Sequence, residues 1–113
     1  MGTLRDQKIV PINSTSAPLS ESEIQRLSTE LPAWELIQVA GENRLQRLFR
    51  FKDFAQALDF TNRVAALAEA ENHHPSLLTE WGRVTVTWWT HKVHGLHAND
   101  FIMASRTDDL FEK

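Results

Sequence analysis

The sequence predicts an antiparallel sheet backed by helices, in the order α-β-β-α-β-β-α. Two observations carry this reading. Apolar residues recur at helical spacing in some segments and alternate with polar ones in others, and the connections between successive strands are short enough for hairpins. A chain of 113 residues is one domain, large enough to bury a core without disulfides. Residues 1–19 are expected to form a flexible N-terminal arm with one edge-strand contact, because Pro11, Pro18, Asn13 and several Ser/Thr surround only a short apolar patch, Ile9-Val10 and Ile12. Residues 20–113 form the single folded domain.

The first helix is announced by Ser20-Glu21-Ser22-Glu23, the spacing of a capping box. Ile24, Leu27 and Leu31 follow on one face, and Pro32 stops the helix. Trp34 to Ala40 reads as a strand, Gly41-Glu42-Asn43 as its turn, and Arg44 to Phe51 as the returning strand, with Arg47 and Leu48 breaking its alternation. Asp53 opens the longest helix, which runs to about Glu71. Its expected inward stripe is Phe54, Ala57, Leu58, Thr61, Val64, Ala65 and Ala68. His74 precedes Pro75, which ends that helix. Ser76 to Glu80 is a short strand. Arg83 to Thr90 is the clearest strand, with Val84, Val86 and Trp88 on one parity and Trp89 and His91 on the polar one. A last helix runs from about Ala98 to Phe111.

Composition narrows the function. The formal net charge is −3 and no basic run is present, so direct nucleic-acid binding through phosphate neutralisation is disfavoured. There is no cysteine, which excludes thiol nucleophiles and thiolate metal sites. No apolar run approaches the roughly 18 residues of a membrane span, and the first residues lack a signal-peptide core. No membrane partner and a cytoplasmic location are expected.

The chemistry-bearing residues gather in one stretch. Four of the five histidines lie between His73 and His94, and histidine is the side chain that titrates near neutral pH unperturbed. The pattern Glu69-x3-His73-His74-Pro75-x5-Trp81-x9-His91-x8-Asp100 resembles the signature of the pterin-4a-carbinolamine dehydratases. Phe51-Lys52-Asp53-Phe54, Arg63-Val64-Ala65 and Gly95-Leu96 are also similar to family sequences.

The resemblance implies an α+β fold, a four-stranded antiparallel sheet with three helices packed on one face. It implies dehydration of 4a-hydroxytetrahydrobiopterin to quinonoid dihydrobiopterin, the hydro-lyase step of tetrahydrobiopterin recycling, with neither metal nor organic cofactor. A homodimer or homotetramer is implied, and a protein partner is an added role of animal members. Carried over by position, His73, His74, His91, Glu69 and Asp100 are the catalytic set, and His73 to Pro75, Trp81 and Thr90 to Lys92 the substrate-binding set. Two positions depart from the family pattern: His97 stands where Ser or Thr is usual at the cap of the last helix, and Leu77 where many members carry an aromatic.

Each residue also has a structural reading. Glu69, one turn before His73, would pair with it if helical geometry persisted, making His73 the acid and leaving His74 or His91 as base. Asp100 sits where a carboxylate caps a helix whatever the function. Trp81 and Trp89 would stack a pterin or meet another subunit, and the last strand or its neighbour would pair edge to edge with that subunit. His91, His94 and His97 read H-x2-H-x2-H, but a strand end and a helix start separated by Gly95 rarely converge three rings on one ion, so no metal is expected. A non-catalytic protein-binding or dimerisation module of the same fold is the rival reading. Another is a dehydratase-like protein acting on a different pterin, such as a molybdopterin-related compound.

Overall fold

The computed structural model describes residues 4–13 and 15–112. Helix α1 spans Glu21–Ser28, strand β1 Glu35–Val39, β2 Glu42–Arg50, helix α2 Phe54–Glu71, β3 Ser76–Glu80, β4 Arg83–Trp88 and α3 Ala98–Glu112. The order is the expected one. The sheet runs β1-β2-β4-β3 and every neighbouring pair is antiparallel. The last strand is therefore interior. Its neighbour β3 is an edge, as is β1.

Local signals explain most boundaries. At α1, Ser20 accepts from the Glu23 amide while the Glu23 carboxylate accepts from the Ser20 amide, so both halves of the capping box form. The helix ends at Ser28, short of Pro32, because Thr29 turns its hydroxyl onto the Arg26 carbonyl and tighter i→i+3 bonds take over. Those turns still carry Leu31 into the core. The β1–β2 turn is Ala40-Gly41, both at positive φ, the two-residue hairpin whose twist suits the strands. It comes earlier than Gly41-Glu42-Asn43, and Glu42 and Asn43 belong to β2.

Arg47 and Leu48 do not break the β2 ladder, whose pairing with β4 runs unbroken from Leu45 to Arg50. Side-chain direction keeps alternating, and only the residue types are unusual. Arg47 points to the helix side, over Phe49 and Phe111, and pairs with Asp108 at 2.5 Å. Leu48 lies on the opposite, open face.

The core joins Leu45, Phe49, Val84, Val86 and Trp88 of the sheet to Ile24, Leu27, Phe60, Val64, Phe101 and Met103 of the helices. Each such side chain contributes roughly 1.5–3 kcal/mol by leaving water. The buried stripe of α2 is Ala57, Phe60, Val64 and Ala68. It is rotated from the expected one: Phe60 is inside, whereas Phe54 and Leu58 are exposed.

The N-terminal arm follows a defined path. It begins with a 3-10 turn, Leu4–Asp6, whose Leu4 is buried in the core. Arg5 pairs with Asp109, and Arg106 donates to the Arg5 and Gln7 carbonyls. Among the described residues no strand pairs with it. These partners lie on α3, and the Leu19 amide donates to the Leu96 carbonyl just ahead of that helix.

Candidate functional site

The site is built where α2 ends. Asn72 takes a left-handed conformation, φ 52° and ψ 42°. Its amide donates to the Glu69 carbonyl, and the His73 amide donates to the Ala68 carbonyl, the paired bonds of a Schellman motif. The chain therefore leaves the helical path one residue before His73. Helical spacing from Glu69 to His73 no longer applies.

This reverses the expected pairing. Glu69 Oε2 lies 2.5 Å from Nε2 of His74. His73 instead turns inward, its ring nearly parallel to Trp88 with centroids 5.8 Å apart, and its Nε2 lies 2.6 Å from Asp100 Oδ1. Asp100 is fully buried, and among the described residues it pairs with His73 and with no Lys or Arg. Three donors hold it: His73, the Thr90 hydroxyl at 2.7 Å and the His97 amide at 3.0 Å, both of the latter on Oδ2. Converging donors offset the desolvation of a buried carboxylate. Asp100 thus closes the first turn of α3 and orients an imidazole at once.

His97 fills the cap despite departing from the usual Ser or Thr. Its Nδ1 accepts from the Asn99 amide at 3.0 Å. Burial lowers the pKa of His97, the nearby His73 adds to that shift and the Asp100 charge opposes it. A ring kept neutral suits a cap whose Nδ1 must accept.

His91 does not end a strand. β4 stops at Trp88, Thr90 bridges to Gly95, and His91 opens a 3-10 turn, His91–Val93, closed by left-handed His94. His94 Nδ1 lies 3.1 Å from Glu42 Oε2 and its ring meets that of His91 edge-on with centroids 5.8 Å apart, while the His97 ring accepts from the Asn99 amide.

These elements enclose a cleft of about 750 Å³, within the size range of small-molecule sites. His73, His74, Thr90, His91 and Lys92 line it. The structure brings those five together. Glu69 reaches the cleft only through His74, and Asp100 only through His73 and Thr90. Pro75 begins the extended run into β3 and is outside the lining. Trp81 is far from the expected role: it is 72% exposed at the β3–β4 turn and borders a separate depression with Arg50 and Arg83. Leu77 packs against the core and is no wall of the cleft.

Sequence reasoning missed other lining residues: Ile9 to Ile12 of the arm, Asn72 and Asn99. The apolar patch of the arm was visible as such, but nothing in its spacing tied it to a position 89 residues away. Trp89 also lines the cleft, with the Arg44 guanidinium 3.9 Å over its ring.

Among the described residues, no helix is long and apolar enough to cross a membrane. Residues 17–110 match the family described as Pterin 4 alpha carbinolamine dehydratase. A protein of Chlorobium limicola is 58% identical over 112 residues, covering 99% of both chains. One of Chlorobaculum tepidum is 54% identical over 110 residues, covering 97% of this chain and 99% of its own. Both carry the provisional name pterin-4-alpha-carbinolamine dehydratase. The crystal structure of a transcriptional coactivator/pterin dehydratase from Brucella melitensis superposes with a TM-score of 0.75 at 34% identity, over 83% of this chain and 98% of that one. By the match along residues 17–110 and by its identity to these full-length relatives, the chain belongs to the pterin 4 alpha carbinolamine dehydratase family.

Proposed function

We propose that the protein is a 4a-hydroxytetrahydropterin dehydratase acting by imidazole acid/base catalysis. The observation that carries this is the pair of carboxylate–imidazole contacts, Asp100–His73 and Glu69–His74, at one cleft. In the reaction the C4a–O bond breaks, N5 loses its proton and a C4a=N5 double bond forms, releasing water. One group must give a proton to the departing hydroxyl and another must take the N5 proton. Each such transfer is worth roughly 10²–10⁴ in rate.

With Nε2 of each ring engaged by a carboxylate, Nδ1 is the nitrogen left for substrate. His73 is buried, stacked and held by a carboxylate that is itself fixed, so it serves the step most sensitive to placement. Its doubly protonated ring gives the Nδ1 proton to the hydroxyl. His74, about half exposed, takes the N5 proton and exchanges it with solvent, and His91 hydrogen-bonds the heterocycle. Tetrahydrobiopterin recycling is the role this chemistry serves.

The test is the decay of a 4a-carbinolamine generated in situ. Wild type should outrun the spontaneous reaction, while His73→Ala should lower turnover far more than it weakens binding of a product-like dihydropterin. Equal decay with and without wild type would refute the reading.

A protein-binding role is favoured by one further observation. The sheet face away from the helices carries exposed Leu48 and Leu78, which flank Thr85 in register, and β3 is an unpaired edge. Such a surface suits a second copy of the chain, giving a homodimer or homotetramer. A monomeric mass by light scattering at micromolar concentration would dismiss that assembly.

A further inference from the structure

The cleft has a wall that comes from the N-terminal arm, and the way that wall is held is specific. Asn99, 1% exposed at the start of α3, grips the peptide groups of a single arm residue. Its side-chain carbonyl accepts from the Val10 amide at 3.0 Å, and its side-chain NH2 donates to the Val10 carbonyl at 2.7 Å. This two-bond clasp imitates one rung of a sheet between segments 89 positions apart. Farther along the same helix, Arg106 holds the Arg5 and Gln7 carbonyls and pairs with Glu71 at the end of α2. The next residue after Asn99 is Asp100, which orients His73. One helical turn therefore holds both His73 and the arm, which line the same cleft.

The clasp fits an apolar wall. Both backbone polar groups of Val10 are taken by Asn99, and the lining residues Ile9, Val10, Pro11 and Ile12 all carry apolar side chains. A reduced pterin has one edge that such a wall fits. Its pyrimidine edge is a row of donors and acceptors that would lose hydrogen bonds there, whereas C6 and C7 are saturated carbons and the C6 substituent, methyl or hydroxylated chain, is attached through carbon.

We propose that Ile9–Ile12 receives the C6–C7 edge and the C6 substituent of the substrate, with Asn99 as the positioning residue that holds this wall in place. The inference rests on the dehydratase reading of the site. It makes the arm the part of the molecule that selects among pterins differing at C6.

The experiment measures kcat and KM of the full chain for two carbinolamines, one with a methyl group at C6 and one with a dihydroxypropyl chain. Asn99→Ala and, as a milder change, Ile12→Ser should raise KM about tenfold, near the value of one lost apolar contact, with kcat within about twofold. Both should shift the preference between the two substrates by about fivefold or more. Thermal melts monitor folding, and if Asn99→Ala does not fold, Ile12→Ser and Ile9→Ser decide. Acceleration by wild type with KM and preference unchanged in the folded variants overturns the wall and leaves the dehydratase reading standing. No acceleration of either substrate by wild type removes both.

Discussion

The carboxylate of Asp100 lies 2.6 Å from Nε2 of His73, across 27 positions of sequence. Its other oxygen takes the Thr90 hydroxyl and the His97 amide, so every neighbour of this carboxylate is a donor. An amide in its place has an NH2 that must face either His73 or the donors at Oδ2. Asp100→Asn should therefore lower kcat about 10–100-fold, the usual cost of losing the partner that orients a working imidazole. Glu69→Gln should cost only a few-fold, because Glu69 and His74 are well exposed and water can replace the lost contact. Rapid-mixing measurements of carbinolamine decay on the two variants check this ordering. Equal losses would contradict it.

The sequence made the gathering of three histidines at one cleft legible but not their wiring. His73, His74 and His91 could be tied together by the spacing of the whole pattern, and Asp100 could be read as cap or as functional group. It is both. The Glu69–His73 pairing failed because Asn72 adopts a left-handed turn, which hydrophobic periodicity does not report. His91 was misplaced for a related reason: parity extends a strand until something stops it, and the Thr90–Gly95 bridge and left-handed His94 are local events. Phe54 and Leu58 fitted the α2 stripe by spacing, yet the face is set by where Phe60 meets Phe49 and Phe51. Trp81 shared the family spacing and still stands apart from the cleft. The arm reaches the cleft through a long-range clasp to Asn99, which its short apolar patch does not reveal.

His97 should make stability depend on pH. Its folded-state pKa is below the ordinary histidine value of about 6.5, chiefly through burial, so in the window between the two values the unfolded chain binds more protons. Stability tied to this group is full above about 6.5 and is lost as pH falls towards the lowered value. Protonation also turns Nδ1 from acceptor to donor and breaks the cap on the Asn99 amide. His97→Ser keeps a cap that does not titrate. Melting curves at pH 7.5 and pH 5.5 should show a smaller drop in Tm for the variant than for wild type. Parallel drops would place the pH dependence elsewhere.

Arg47 and Asp108 form the other pair with a readable pH response. Burial raises the pKa of Asp108, against the lowering effects of Trp34 and Arg47 and with a small addition from Glu112. The folded state thus holds its proton at pH values where the unfolded chain has released it, and the stability tied to Asp108 falls as pH rises through that window. Arg47→Leu leaves the carboxylate without its cation beside Phe49 and Phe111. The expected loss is about 3 kcal/mol at pH 7, the low end for breaking a buried pair. It should be smaller at acid pH than at pH 7, because taking up a proton removes the unpaired charge of Asp108. Denaturant titrations at the two pH values test this, and a cost that does not change with pH would assign it to lost packing alone.

The left-handed turn at Asn72 links the end of α2 to the chemistry. At φ 52°, an ordinary side chain strains against the backbone by about 1–2 kcal/mol, whereas glycine does not and asparagine tolerates it. Asn72→Ala should therefore lose about 1 kcal/mol, and Asn72→Gly should stay close to wild type. The same turn aims the chain so that His73 meets Trp88 and Asp100 while His74 meets Glu69. Alanine should then also reduce kcat at temperatures well below its Tm, because a relaxed turn moves both imidazoles from their carboxylates. Glycine lacks the Asn72 side chain at the cleft as fully as alanine does, so it separates the effect of the side chain from that of the backbone. Melting curves and single-turnover rates on the two variants give the answer. Alanine and glycine variants alike in both measurements would mean that the turn does not set the position of the rings.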